Sequence, residues 1–361
     1  MGESMRREDV TPVFTSLGMF IIDEIHFTDA PSVYNVIGGA GTFGAIGARL
    51  FLPSPTESQK VGWIVDMGSD FPGSVREEIE RWQTGVVLRS DASRLTTRGW
   101  NQYADNEERL FKYLAPKLRI TAADIIANPP LIKSKSFHLI CSPNRCEELT
   151  RHIVDASNYD PRAIIIWEPV PDECKPETYG ECIKVLRSPG LVSIFSPNAK
   201  EAAQFFGLAE PMTKKDIEDV VDRFVNALND SRIEPGTNSN MCKLIVLRCG
   251  SLGCLVCYTD ISNRQPYKWF PAYHNPANED YRVIDPTGGG NSFVGGFATG
   301  YVISGGDIVE AAVYGNVAAG LVIEQIGLPI LGKDQDGNEI WNGETISTRI
   351  ARYRQRSELP S

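Results

Sequence analysis

The stretch "VIDPTGGGNSFVGGF", residues 283–297, is a short apolar run, a break, three glycines and an apolar helix-like segment. Val283 and Ile284 are expected to end a strand, and Asp285 and Pro286 to break it. Gly288, Gly289 and Gly290 then expose backbone N–H groups in the direction of the following helix dipole, an arrangement that favours an anion. Gly295, Gly296 and Gly300 continue at spacings that let the helix lie close against a sheet. The same residues also suit a flexible turn before a close-packed helix, so the loop reads as a phosphate site only in the right company.

Upstream, β-branched runs such as "KVGWIVDM", "FHLICSP", "RAIIIWEP", "LVSIFSP" and "KLIVLRCG" alternate with helix-like segments such as "CEELTRHIVDA" and "DIEDVVDRFVNAL". This alternation predicts a mostly parallel central sheet with helices on both faces, and from Asn291 onward the pattern turns helical. The expected body is one three-layer α/β/α domain over residues 1–361. Two polar, turn-rich segments, near 24–37 and 92–106, fit the alternation poorly and are expected to stand off the sheet as a small β lid. Residues 53–60 read as a surface loop, and residues 335–361 as a polar C-terminal extension with a last short helix.

The composition, 42% hydrophobic and 23% charged over 361 residues, is that of a soluble globular protein with material for a large core. A net charge of −10 without a basic cluster speaks against nucleic acid as a partner. There is no apolar run of the roughly 18 residues that a membrane span needs. The start, "MGESMRREDVTP", has neither the apolar core of a signal peptide nor the hydroxyl residue that a myristoylation motif wants at Arg6, so a cytoplasmic protein is expected. Eight cysteines then read as reduced thiols. Cys254 and Cys257 fall three apart on a strand, on opposite faces, and cannot share a metal. With four histidines, His26, His138, His152 and His274, a zinc site has few ligands to draw on.

Two further signals accompany the glycine loop. In "SPNAKEA", Asn198 and Glu201 lie three apart on the first turn of a helix that follows a strand, where a carboxylate suits a hydrated magnesium ion. An N-cap Asn with Glu in a capping box accounts for the same pair equally well. Near the start, Asp23 follows a strand, and Gly38 and Gly39 precede a small-residue helix. A dinucleotide fingerprint would place such glycines in the first strand-to-helix turn, and here they come after an extended insert, which argues against a dehydrogenase.

Together these residues resemble the PfkB (ribokinase-like) carbohydrate kinases. The match runs over nearly the whole chain: Gly18 with Asp23, Gly38-Gly39, "VGWIVDMGSDFP", Asn198-x-x-Glu201, "RCGSLG" at 248–253, and "DPTGGGNSFVGGF" where the family writes Asp-Thr-x-Gly-Ala-Gly-Asp-x-Phe. Within the family, the form resembles most the fungal maintenance-of-killer branch. The resemblance implies a ribokinase-like fold and transfer of the γ-phosphoryl of ATP, with magnesium, to a hydroxyl of a sugar, nucleoside or similar small molecule. It makes Gly288, Gly289 and Gly290 the anion hole, and Glu201 with Asn198 the residues that order magnesium and its waters. Gly250 and Gly253 would lie under the nucleotide, and Asn316 on the helix beside the adenine. Asp285 and Thr287 stand where family members often hold a monovalent cation such as potassium. Asp23, Gly38, Gly39 and the lid residue Arg98 are expected at the substrate. Lid strands in this family can pair between subunits, so the resemblance also admits a homodimer.

Three residues depart from the pattern. Asn291 stands where the family has its general-base Asp, and an amide does not take up a hydroxyl proton at neutral pH. Base assistance worth about 10²- to 10⁴-fold is expected to be missing. Positioning and charge stabilisation by the loop would remain. Phe43 stands where sugar kinases carry a substrate-binding Asn, and offers apolar surface instead. Arg248 replaces the usual Thr before the nucleotide glycines, where a cation could reach ATP phosphates or pair with an acid. Asp285 and Asp23 are the acids weighed as replacement bases, though the resemblance gives each another role. Two readings follow: a slow or substrate-altered small-molecule kinase, and a pseudokinase that binds nucleotide or metabolite and acts through partners.

Overall fold

A computed structural model describes residues 10–27, 30–103, 109–156, 163–230, 242–260 and 267–359. Residues 1–9, residues 28–29 and 104–106 of the expected lid, and residues 360–361 lie outside them. The strands, in chain order, are β1 Phe14–Ser16, β2 Ile21–Phe27, β3 Val33–Gly38, β4 Val61–Met67, β5 Gly85–Ser90, β6 Arg98–Tyr103, β7 Arg109–Tyr113, β8 Ser136–Cys141, β9 Ile164–Pro169, β10 Ile194–Phe195, β11 Leu244–Arg248, β12 Cys254–Tyr258, β13 Lys268–Phe270, β14 Leu331–Lys333 and β15 Glu339–Trp341.

Nine of them form one sheet in the order β13-β12-β11-β10-β9-β8-β1-β4-β5. The pairings from β5 across to β11 are parallel, while β12 and β13 run antiparallel at one edge. The central strands read as nearly continuous apolar runs because helices cover both faces. Along β4, Trp63 and Val65 join one core cluster and Ile64 the other; along β9, Ile166 joins the first cluster while Ile165 and Trp167 join the second. That period of two assigns alternate residues to the two faces.

One face carries the helices Pro143–Ala156, Tyr179–Arg187 and Lys214–Leu228. In the last of these, Thr213 and Asp216 form a capping box, and Ile217, Val220, Val221, Phe224, Val225 and Leu228 make a buried stripe at helical spacing. Six such side chains contribute on the order of 10 kcal/mol of apolar burial before chain entropy is charged against it. The opposite face carries Ala40–Arg49, Gly289–Ile303 and Ile308–Val322. The middle helix lies close to its two neighbours: a Cβ at Gly295 would run into the backbone of Gly44, and one at Gly296 or Gly300 into the backbone of Tyr314 or Ala311. The small-residue spacing expected to press this helix on the sheet therefore serves helix-to-helix contact.

A separate four-stranded sheet, β3-β2-β6-β7, stands off the body and contains residues of both segments expected as a lid. The first apolar run, which reads as one strand, divides between β1 in the main sheet and β2 in this lid. Gly18 sits at the division, where a Cβ would run into the backbone of Gly41.

The polar stretch after residue 330 is a hairpin, β14 with β15, followed by the helix Ile346–Arg356. It is fixed by Glu339, which takes bonds of 2.9 and 2.7 Å from the two Nη atoms of the fully buried Arg49 and one of 3.0 Å from the backbone N–H of Ser54. The loop 53–60 is thereby tied down rather than free, and its Ser58 is buried. All eight cysteines are buried thiols, and among the described residues no helix is long and apolar enough to cross a membrane.

Candidate active site

Val283 and Ile284 do not end a strand. They are 38% and 54% exposed and pair with no strand among the described residues, and the N–H groups of Ile284 and Asp285 donate instead to the carbonyl of Ile323 at 2.8 and 3.2 Å. Asp285 is buried and accepts the N–H of Thr287 at 2.9 Å. Gly288, at φ 80°, is the N-cap of the helix Gly289–Ile303, in a left-handed conformation that favours glycine. The N–H groups of the first helical turn therefore open the site.

Asn291 sits in that turn, and its amide Nδ2 donates to Glu168 Oε2 at 2.9 Å. Glu168, near the end of β9 and 6% exposed, also meets His138 Nε2 at 2.9 Å through Oε2 and Arg248 Nη2 at 3.0 Å through Oε1. His138 Nδ1 lies 3.5 Å from Ser16 Oγ. Burial pushes the Glu168 carboxyl up, but the charge of Arg248 and the bonds from His138 and Asn291 outweigh it and hold the group below the ordinary range.

Arg248, at the end of β11, leans across to the loop. Its Nη2 donates to the Ser196 carbonyl at 3.0 Å and lies 3.4 Å from Glu201 Oε2. Its Nη1 lies against Gly290, where a Cβ would collide with it. Asn198 and Glu201 form the reciprocal capping box, each side chain accepting the other's N–H at 2.8 Å. Burial, with the charge of Glu168 adding and that of Arg248 opposing, lifts the Glu201 carboxyl to about 7.

A cavity of about 410 Å³ runs from this cluster. Asn198, Arg248, Gly250, Gly253, Gly289, Gly290 and Asn316 all line it, with Tyr273, Tyr281 and Ile323 supplying apolar wall. Asn316 is held by bonds to the Ala312 carbonyl at 2.9 Å and to Cys254 Sγ at 3.4 Å.

The substrate-side residues gather elsewhere, at the lid. Asp23 lies inside β2, not past a strand, and its buried carboxylate fits between Gly38 and Gly99, at either of which a Cβ would strike it. Asn101 Nδ2 donates to it at 3.0 Å. Gly39 caps the helix Ala40–Arg49. Arg98 is paired with Asp70 at 2.6 Å and donates to Asn35 Oδ1 at 3.2 Å. Phe43 is not open surface: it is 4% exposed, and its ring lies under Gly288, where a Cβ would enter it.

The magnesium that the resemblance implies finds a guanidinium at its carboxylate. Arg248 Nη2 stands 3.4 Å from Glu201 Oε2, and among the described residues no three His, Cys, Asp or Glu side chains are grouped to hold a metal. Two cations so close repel strongly in a buried site. In this geometry the residues do not fit the metal.

The sequence does not single out Glu168 or Ser16, and His138 enters there only as one of four histidines too few for a zinc site. The three come from β9, β8 and β1, and the partners in the chain Asn291–Glu168–His138–Ser16 lie 123, 30 and 122 positions apart. The sequence carries one signal of Glu168: an acid at the carboxyl end of the apolar run "AIIIWE" is out of place on a strand buried on both faces, and the carboxyl ends of such strands are where open α/β sheets bind ligands.

A mostly parallel α/β sheet with a β lid, and a glycine helix start at the mouth of a cavity, define a ribokinase-like α/β architecture. The model of the pfkB family of carbohydrate kinases matches residues 112–331, and the chain belongs to that family. It is 38% identical to Protein MAK32 of Saccharomyces cerevisiae over 99% of this chain and 96% of that protein, in keeping with the fungal branch. Its fold is that of ribokinase from Giardia lamblia, with TM-score 0.68 and 16% identity over 96% of this chain and 99% of that one. The structure of Arabidopsis thaliana ribokinase complexed with ribose and ATP matches with TM-score 0.62 and 16% identity, over 88% of this chain and 95% of that one.

Proposed function

We propose that this chain is an ATP-dependent phosphotransferase that moves the γ-phosphoryl group to an alcohol of a sugar, nucleoside or related small molecule. The supporting observation is the cavity that ends on Gly289 and Gly290: it has apolar wall for a base and a helix start with a cation for phosphates. Gly250, Gly253 and Asn316 face the nucleotide, Gly288 to Gly290 take the transferring group, and Asp23 holds acceptor hydroxyls from the lid. A bond forms between the acceptor oxygen and the γ-phosphorus as the bond to the β-phosphate oxygen breaks.

Asn291 gives its amide N–H to Glu168, which leaves its carbonyl oxygen as the group that orients the attacking hydroxyl. With no carboxylate at that position, the hydroxyl proton passes to water or to an oxygen of the transferred phosphoryl group as the O–P bond completes, which makes turnover slow; a loose transition state needs little base assistance. A second reading, nucleotide binding without turnover, draws on the same bond, since Glu168 is held by three partners and does not reach out as a base.

The test is the purified chain with ATP, with and without magnesium, against a panel of sugars and nucleosides, monitored for ADP release and for thermal stabilisation by ATP. Turnover on any acceptor supports the first reading. Stabilisation without turnover supports the second. Absence of both removes the phosphate assignment of the glycine loop.

A further inference from the structure

We propose that Arg248 takes the place of the divalent cation, so that this chain grips the terminal phosphates of ATP with a guanidinium and its nucleotide affinity does not depend on magnesium. The inference rests on the nucleotide reading above and deepens it.

Three observations converge. First, one guanidinium touches both the acid cluster and the anion loop: Nη2 is 3.0 Å from Glu168 Oε1 and 3.4 Å from Glu201 Oε2, and Nη1 lies against Gly290. A metal bridging Glu201 and a phosphate on that loop would need this space. Second, Arg248 Nε is buried and has no hydrogen-bond partner among the described residues, so the cation is held in place by its Nη atoms while one donor remains unspent. Burying an unpaired donor is costly, and the site keeps it beside a cavity that this same residue lines. Third, Arg248 already supplies the counter-charge of Glu168 across 3.0 Å. A dication would have to displace the arginine or sit next to it.

The chemistry is suited to the task. A guanidinium presents N–H donors in a planar fork that matches phosphate oxygens, and it stays charged at any working pH. Glu168 and the Ser196 carbonyl fix the fork's far edge, which pre-orders it for an incoming anion.

ATP binding to the full chain should be measured by calorimetry in excess magnesium chloride and in excess EDTA. The expected result is a dissociation constant that differs by less than about threefold between the two, since the guanidinium supplies the counter-charge in both. Arg248→Thr should lose at least about tenfold in EDTA and regain affinity when magnesium is added. Arg248→Lys, which keeps the charge but not the fork, should fall between them. Wild-type binding that weakens tenfold or more in EDTA overturns the inference and leaves the nucleotide reading standing. Wild type that binds ATP in neither buffer removes that reading and the inference with it. The wild-type comparison needs no variant, so it decides the matter even where Arg248→Thr folds poorly.

Discussion

Asn291 donates its amide to Glu168 across 2.9 Å, so the residue at the base position is bound to a buried carboxylate that stands one strand-end away. An acid and an amide meet at this point, with the acid on β9 and the amide in the first turn of the helix Gly289–Ile303.

Asn291→Asp alone should therefore fail as a rescue. It would bring two carboxylates into hydrogen-bond contact, and one of them would have to keep a proton. The single variant should lose thermal stability and gain less than about tenfold in ADP release, whereas Asn291→Asp with Glu168→Gln should recover stability and gain about 10²-fold or more. Equal activity of the single and double variants would sink this account.

Glu201 fixes the sign of a pH effect. Its carboxyl is lifted to about 7 in the folded chain from an ordinary 4.5. Between those values the native state binds more protons than the unfolded one, so stability from this group is present at the acid end and declines as pH rises to 7. Glu201→Gln should remove a slope of up to about 1.4 kcal/mol per pH unit. In thermal unfolding from pH 4.5 to 7.5, the variant should gain on wild type as pH rises; a constant difference would show that Glu201 titrates normally.

Glu339→Ala should destabilise the fold by about 3–5 kcal/mol, because it strands the charge of the fully buried Arg49. Arg49→Met added to it should recover most of the loss. Urea unfolding of the two variants measures both quantities, and a single variant within about 1 kcal/mol of wild type would show the pair to be dispensable.

Gly290→Ala should separate binding from folding. The added methyl meets the guanidinium of Arg248, not backbone, and must shift it against its bonds to Glu168 and Ser196, so the melting temperature should fall by only a few degrees while ATP affinity falls by about tenfold. A large drop in melting temperature with unchanged affinity would contradict this placement of the guanidinium.

Much of the architecture was legible because it rests on local periodicity. Apolar runs at 61–67, 164–169 and 244–248 announce strands, and the stripe from Ile217 to Leu228 announces a helix. Glycine spacing marked the loop and the residues around the cavity. The misreadings arose where tertiary context decides. Whether Val283 and Ile284 pair depends on a neighbour that the sequence does not display, and the same holds for the run at 13–22, which one sheet shares with another. Phe43 reads as apolar surface until the fold lays it under Gly288. Glu168 and His138 are ordinary residues on separate strands, and only the assembled sheet makes them partners of Asn291.

The helix Ala40–Arg49 has its N-terminus at the lid, its Phe43 ring under the anion loop, its Gly47 against the backbone of Ser292, and its last residue clamped by Glu339. It acts as a stiff tie-rod between the two halves of the site, anchored at its last residue by Glu339 of the hairpin. Changes in β14 and β15 thus have a mechanical route to the spacing between Asp23 and the glycine loop.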